Sequence, residues 1–379
     1  MKSAQKIALA GVVAAALAAA GCSSSPSSGS SGGSGSSTNW ATVTSAAQGG
    51  GMSALIAAAK KEGTLNVIAL PPTWANYGNI ISQFQKEYGI KVVSANPNGS
   101  SQDEVNAVAR ENGTAAAPDV LDIGMAVALA NTNLFAPYQV STWSDIPATQ
   151  KEATGLWVQD YGGYMSIGYD SSKFGTITSV SQLLGSKFKN AIALNGNPTQ
   201  ANAALNGVMM VNLAVGGTAD SIAKGVNFFH QLKAAGNFVP VQATSATIKA
   251  GTTPVVINWD YLNTASVVGA GSSWKVFDPP NAILGGYYAQ AINKNAPHPA
   301  AARLWEEFLY SQAASGGQNL WLAGGARPVE MQAMTTNKSI NATAAASLPP
   351  VSGTPVILNA TQNSNAATYL AANWANAVK

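Results

Sequence analysis

Residues Lys60–Val93 read KKEGTLNVIALPPTWANYGNIISQFQKEYGIKVV, and this stretch decides the architecture. Just upstream, Leu55–Glu62 predicts a short amphipathic helix stopped by Gly63. Thr64–Leu70 is apolar and β-branched, the composition of a buried strand, and Pro71-Pro72 ends it. Asn76–Tyr88 carries apolar residues at Tyr77, Ile80, Ile81 and Phe84, a helical spacing. Ile90–Val93 predicts a second strand. Ser101–Glu111 predicts a helix with a serine cap and an Asp103-Glu104 first turn, and Asp119–Ile123 a third strand. Strand, helix and strand in repetition imply an α/β fold with a parallel sheet flanked by helices.

The same grammar restarts later. Ala191–Leu194 predicts a strand, Thr199–Val215 and Ala219–Ala235 helices, and Pro254–Trp259 (PVVINW) another buried strand. Between the two sets lies an extended stretch, Gly162–Tyr169 (GGYMSIGY), that can carry the chain from one lobe to the other. A second, Gly285–Ile292 (GGYYAQAI), can carry it back. Ala300–Gln312 predicts a strong helix entered through Pro299, with Leu304, Trp305, Phe308 and Leu309 on one side. Residues near 360–377 predict a last helix whose place in the fold the sequence does not give.

The amino terminus has a different character. Lys2 and Lys6 precede a 15-residue run of small apolar residues, Ile7–Gly21, then Cys22, then the serine/glycine tract Ser23–Ser37. The run is shorter than the ~20 residues a membrane-spanning helix needs. A basic start, a short apolar core and a small-residue exit read as a secretory signal. Ala19-Ala20-Gly21-Cys22 resembles the lipobox of bacterial lipoproteins, with Ala19 in place of the usual leucine, which makes Cys22 the expected lipidation site. It is the only cysteine, so it has no partner for an internal disulfide. The tract after it has nothing to bury and reads as a flexible leash.

Composition narrows the function. Without Lys2 and Lys6 the chain carries 18 basic and 17 acidic side chains, a balance that argues against nucleic acid as a partner. Only 10% of residues are charged, against ~25% in an ordinary soluble protein, which fits an acidic or otherwise harsh exterior. No phosphate-binding Gly-rich loop ending in Lys-Ser or Lys-Thr and no Gly-x-Ser-x-Gly elbow outside the leash is present. His230 (in FFHQL) and His298 (between prolines) read as structural, and Asp119 and Asp122 as residues of a strand edge. No catalytic set, metal cluster or cofactor is expected.

Aromatic and polar residues instead gather where strands end, the place where α/β folds collect ligands. Trp74 and Tyr77 follow the first strand, and Gly124-Met125 the third. Asn195, Asn197 and Gln200 lie between a strand and a helix, and Trp259-Asp260-Tyr261 ends PVVINW.

Four segments together resemble the bacterial solute-binding proteins of ABC importers, in the type II periplasmic-binding-protein fold. They are Lys60–Val93, APDVLDIG with NLFAPY, TTPVVINWDYLN, and GGYYAQAINKNAPHPAAARLWEEFLYS followed by GGARPV. The likeness runs from Leu55 to about Val329 and is nearest to groups that bind polyamines, ferric iron or thiamine. It implies two α/β lobes joined by crossing strands that close over a small solute. It also implies a membrane permease as partner, no nucleic acid, no cofactor and no catalysis. The organisation expected is a signal peptide over 1–21, anchor and linker over 22–54, one lobe from 55–165 plus 286–379, and a second from 166–285. The product is a monomer tethered outside the cytoplasm by its lipid.

For the solute, the resemblance sets Trp259 where polyamine-binding relatives keep a tryptophan, with Asp260 as the counter-charge. Trp74, Tyr77, Trp259 and Tyr288 are expected to form the aromatic walls, Asn195, Asn197 and Gln200 the orienting amides, with Gly124, Met125, Tyr261 and Tyr287 also in the binding set. A cationic or zwitterionic organic solute is expected. Ferric iron is the alternative, but Tyr287 and Tyr288 are neighbours on an extended segment and point to opposite faces.

Overall fold

The early elements stop where glycine and proline interrupt the pattern. The first helix, Met52–Glu62, ends at Gly63, whose left-handed backbone (φ 70°) lets its amide donate to the Ala59 carbonyl. β1 (Thr64–Ile68), a helix at Tyr77–Tyr88, β2 (Lys91–Ala95), a helix at Ser101–Glu111 and β3 (Val120–Gly124) follow. The computed structural model describes residues 38–266, 271–351 and 353–379. The expected signal segment, Cys22 and the serine/glycine tract lie outside the described residues. No helix among the described residues is long and apolar enough to cross a membrane.

Later strands are β4 (Phe135–Ala136), β5 (Val158–Asp170), β6 (Ile192–Leu194), β7 (Val255–Trp259), β8 (Trp274–Phe277), β9 (Leu284–Asn293), β10 (Arg327–Pro328) and β11 (Val356–Ile357). The sheet arrangement is mixed rather than parallel. Parallel pairing joins β1 to β2, β6 to β7 and β11 to β9. β3 and β5 run antiparallel to β9, and β7 antiparallel to β5. The reason is that the two extended connectors, read as crossings between units, are themselves long strands inside the sheet.

β5 is the hub. Its first half pairs with β9 and its second half with β7 and β8. The β5–β9 ladder slips between Gln159 and Gly162. The two residues in that irregularity, Asp160 and Tyr161, are both fully buried, as a bulge that re-aims side chains allows.

The helix Pro299–Leu309 is buried along nearly its whole length and packs on Met52–Glu62. Trp305 lies edge-on to Phe84 with ring centroids 5.0 Å apart. Arg303 on the same helix is buried, donating from Nε to the Val43 carbonyl (2.7 Å) and from Nη2 to that of Ala41 (3.1 Å). Trp40, Val43 and Ala46 are buried with it. The linker expected to run to residue 54 is therefore packed structure from Trp40 onward, because its apolar side chains are buried and Arg303 of this helix holds the Ala41 and Val43 carbonyls. The final helix, Ala360–Ala377, sets Trp374 against Phe229 at 5.3 Å and Phe238 at 6.0 Å.

Candidate functional site

A cavity of 920 Å³ opens where strand ends meet helix starts. The stretch after β1 contributes Trp74, Asn76 and Asn79, and the start of the Ser101–Glu111 helix contributes Ser100, Asp103 and Glu104. β3 contributes Asp122 and β9 Tyr288. The rest of the wall comes from Asn195, Asn197, Gln200 and Asn202 after β6, Gln242 and Thr244, Asn258 near the end of β7, and Leu262 beyond it. Among the described lining residues there is no lysine, arginine or histidine; Asp103, Glu104 and Asp122 are the only ionisable groups apart from the Tyr288 phenol.

Local chemistry brings the carboxyls together. Ser100 caps its helix in a reciprocal box with Asp103: the Asp103 amide donates to Ser100 Oγ (3.2 Å), and the Ser100 amide to Asp103 Oδ2 (2.8 Å). Ser101 Oγ accepts from the Gly124 amide at 2.9 Å, latching the first turn to the end of β3. Glu104 thereby meets Asp122, whose amide donates to Glu104 Oε2 at 2.9 Å. Asp122 Oδ2 accepts from the Tyr161 hydroxyl at 2.8 Å, and that hydroxyl accepts from Trp74 Nε1 at 2.8 Å. The other Asp122 oxygen is buried and has no hydrogen-bond partner; nor have Asn202 Nδ2 and Asn258 Oδ1.

These acids do not ionise normally. Burial pushes Asp122 up to about 7, against the lowering pull of the Tyr161 and Tyr77 hydroxyls. Burial first, then the Asp122 charge, raises Glu104 well above the usual carboxyl range. Asp160, behind them on β5, is raised by the same two causes and accepts from Gln290 Nε2 at 2.8 Å. A low-dielectric wall holding several acids and no base favours bound protons while it is empty.

The sequence-predicted residues divide into two sets. Trp74, Asn195, Asn197, Gln200 and Tyr288 line the cavity. Asn197 also shapes its loop, its Oδ1 accepting from the Thr199 amide at 3.0 Å. Tyr77, Gly124, Met125, Trp259, Asp260, Tyr261 and Tyr287 are not on the wall. Tyr77 is fully buried, packed edge-on to Tyr161 at 5.9 Å, with its hydroxyl accepting from Gln290 Nε2 at 3.2 Å. Met125 joins a separate apolar cluster with Val105 and Ile123. Gly124 sits where a Cβ would come within 2.3 Å of the Asn202 side chain, so it lets β3 approach the helix Asn202–Ala214. Trp259 is fully buried, stacked on Tyr261 at 6.4 Å, and its Nε1 donates to the Tyr288 hydroxyl at 3.4 Å. It backs the wall instead of forming it. Tyr261 packs edge-on to Trp74 at 6.3 Å from inside the protein, and Tyr287 lies across the strand from Tyr288.

Asp260 requires a correction. Its Oδ2 accepts from Arg327 Nη1 at 2.7 Å, and its Oδ1 from the Tyr164 and Tyr261 amides, both at 2.9 Å. The carboxylate is neutralised inside the protein and is absent from the cavity wall. It cannot serve there as counter-charge. The acids that do reach the cavity, Glu104 and Asp122, were read as a helix-terminus charge and a strand-edge residue. A signal for Asp122 was present: a carboxylate in the otherwise apolar strand VLDIG is costly to bury without purpose. Asp119, its neighbour, has a different role. It accepts from the Asn66 amide (2.6 Å) and meets His298 Nδ1 (2.9 Å), which raises the histidine's affinity for its proton.

A family model described as bacterial extracellular solute-binding protein matches residues 117–347. No curated protein matches the sequence. Among solved structures, the chain is similar to the periplasmic binding protein AfuA from Actinobacillus pleuropneumoniae, solved with fructose-6-phosphate. That match has TM-score 0.65 and 16% identity, covering 83% of this chain and 98% of the other. It is also similar to iron-bound HitA from Pseudomonas aeruginosa, with TM-score 0.59 and 17% identity over 83% and 99% of the two chains. A periplasmic thiamin binding protein matches with TM-score 0.63 and 15% identity over 83% and 96%. The type II periplasmic-binding-protein fold is shared by these neighbours.

Proposed function

The chain belongs to the bacterial extracellular solute-binding protein family, and on that premise we propose that it captures a small cationic or zwitterionic organic solute and delivers it to the permease of an ABC importer. In this reading it is a binding protein and not an enzyme, monomeric, and held at the outer face of the cell membrane by a lipid on Cys22. The segments 55–165 with 286–379 and 166–285 act as two lobes that close over the solute.

The observation that carries the reading is a wall that holds acids and no base among its described lining residues. An anionic solute meets no cationic side chain among the described lining residues, whereas a cation meets Glu104 and Asp122 beside the rings of Trp74 and Tyr288. The neutral amides among the lining residues suit the polar remainder of a zwitterion. Ferric iron finds a single lining phenol, Tyr288, and no group of three or more His, Cys, Asp or Glu among the described residues is placed to hold a metal.

A thermal-shift screen of the full chain against amines, amino acids, sugars, thiamine and ferric citrate tests this. Stabilisation by an amine or amino acid is expected. Stabilisation by ferric citrate alone, with tyrosinate-to-iron absorbance, would replace the reading with the metal one.

A further inference from the structure

We propose that Glu104 and Asp122, on the wall of the cavity that Asn258 also lines, form a subsite for a primary ammonium group. This rests on the solute-receptor reading and adds the group recognised and the atoms that recognise it.

The first support is geometric. Both carboxyls lie on the wall of the 920 Å³ cavity and are joined through the Asp122 amide, which donates to Glu104 Oε2 at 2.9 Å. The second is unfilled capacity. Asp122 Oδ1 and Asn258 Oδ1 are buried acceptors that no donor reaches at hydrogen-bonding geometry, the nearby Tyr77 hydroxyl included, on residues only 8% and 5% exposed. A buried acceptor left empty is costly, so two on one cavity wall point to a donor that arrives from outside. Asn258 reaches the cavity from β7 and Asp122 from β3, so the unfilled acceptors belong to separate strands of the fold.

The third support is electrostatic isolation. From its own helix Glu104 faces Asp103, and from β3 Asp122. β5 presents Asp160 and Tyr161, the helix Tyr77–Tyr88 presents Tyr77, and β9 presents Tyr288. Every one of these groups is acidic. With no fixed cation facing them, the pair stays neutral by binding protons, and burial and mutual repulsion raise the affinity of both carboxyls for a proton. An arriving ammonium supplies the missing positive charge. One carboxyl O–H bond then breaks, its proton leaves to solvent, and the ammonium keeps its own three hydrogens as donors. A primary ammonium has three N–H donors to offer; a quaternary ammonium has none and would leave Asp122 Oδ1 and Asn258 Oδ1 empty.

The test is isothermal titration calorimetry of the full chain with putrescine, lysine and ethanolamine, against choline, glycine betaine and glucose. Each titration is run at pH 6.5 in two buffers of different ionisation enthalpy. A primary amine is expected to bind with release of about one proton. Its affinity should rise at least fivefold from pH 6 to 8, and exceed that of the quaternary compounds at least tenfold. Glu104→Gln and Asp122→Asn should each weaken it at least thirtyfold while melting cooperatively, and Asn258→Ala should weaken it less. Amine binding that releases no proton, or that survives both carboxyl variants, overturns the subsite. Binding of glucose or the quaternary compounds alone also overturns it and leaves the receptor reading standing. No binding by any of the six solutes overturns the subsite and removes the receptor reading's support as well.

Discussion

The Tyr161 hydroxyl donates to Asp122 Oδ2 at 2.8 Å, deep under the cavity wall. The same hydroxyl accepts from Trp74 Nε1, so one buried phenol sets the orientation of an indole on the wall and of the carboxyl beside it. Recognition by ring face and recognition by charge are thus mechanically tied.

Trp74→Ala should weaken solute binding at least tenfold, since it removes a ring from the wall and the donor to Tyr161. Trp74→Phe keeps a ring but not the donor, and its loss should be smaller. Titration calorimetry at fixed pH separates the two; equal affinity in all three proteins would remove Trp74 from the site.

Tyr161→Phe should leave the fold intact and reduce affinity about tenfold near pH 7, the scale of a charge-assisted hydrogen bond of ~1.5 kcal/mol. The lost hydroxyl is one that lowers the proton affinity of Asp122, so the pH midpoint of binding should move upward. A midpoint that stays in place would show that the phenol does not act on this carboxyl.

Asp260→Ala should destabilise the protein by about 3–5 kcal/mol, because it strands the buried Arg327 guanidinium that lies 2.7 Å from the carboxylate. Solute affinity of the folded variant should change less than threefold. Denaturant unfolding and calorimetry on the same sample check both halves. A large loss of affinity with unchanged stability would restore Asp260 as the counter-charge.

Stability of the empty protein should fall as pH rises from about 5 to 8. Burial raises Asp122 to about 7, Glu330 to about 7 and Glu306 to about 8 in the folded state. The folded chain therefore holds more protons than the unfolded chain between the ordinary carboxyl range and those values, and loses stability as they are removed. His298 acts in the same direction. Its proton affinity is raised by Asp119, so its contribution is full below its unfolded value near 6.5 and lost as pH climbs through the folded one. Glu306→Gln should raise the melting temperature at pH 8 and leave it nearly unchanged at pH 5. A melting temperature that is highest at alkaline pH would contradict this and the acidic-exterior reading together.

Much of the fold was legible because periodicity and punctuation are local. Thr64–Ile68 and Val255–Trp259 are strands where apolar β-branched runs predicted them, and Pro299–Leu309 a helix behind its proline. The antiparallel pairings were not legible, since β5 and β9 look like connectors until their register is known. Within the site, distance along the chain set the limit. Asp260 meets Arg327 across 67 residues, and nothing near either residue announces the pair. Trp259 and Tyr288 illustrate the same limit on a smaller scale. Both end up joined at the wall, but which of the two faces the cavity depends on the side of the sheet, and strand alternation alone does not name the side. Glu104 and Asp122 lie 18 residues apart and come together where the Gly124 amide donates to Ser101 Oγ and the Asp122 amide to Glu104 Oε2.

The most direct test is a crystal structure of the full chain grown with the amine or amino acid that gives the largest thermal shift. Density for one solute molecule is expected against the Trp74 and Tyr288 rings, with its nitrogen within hydrogen-bonding distance of Asp122 Oδ1. Occupancy elsewhere on the protein, with this wall in contact only with water, would contradict the account.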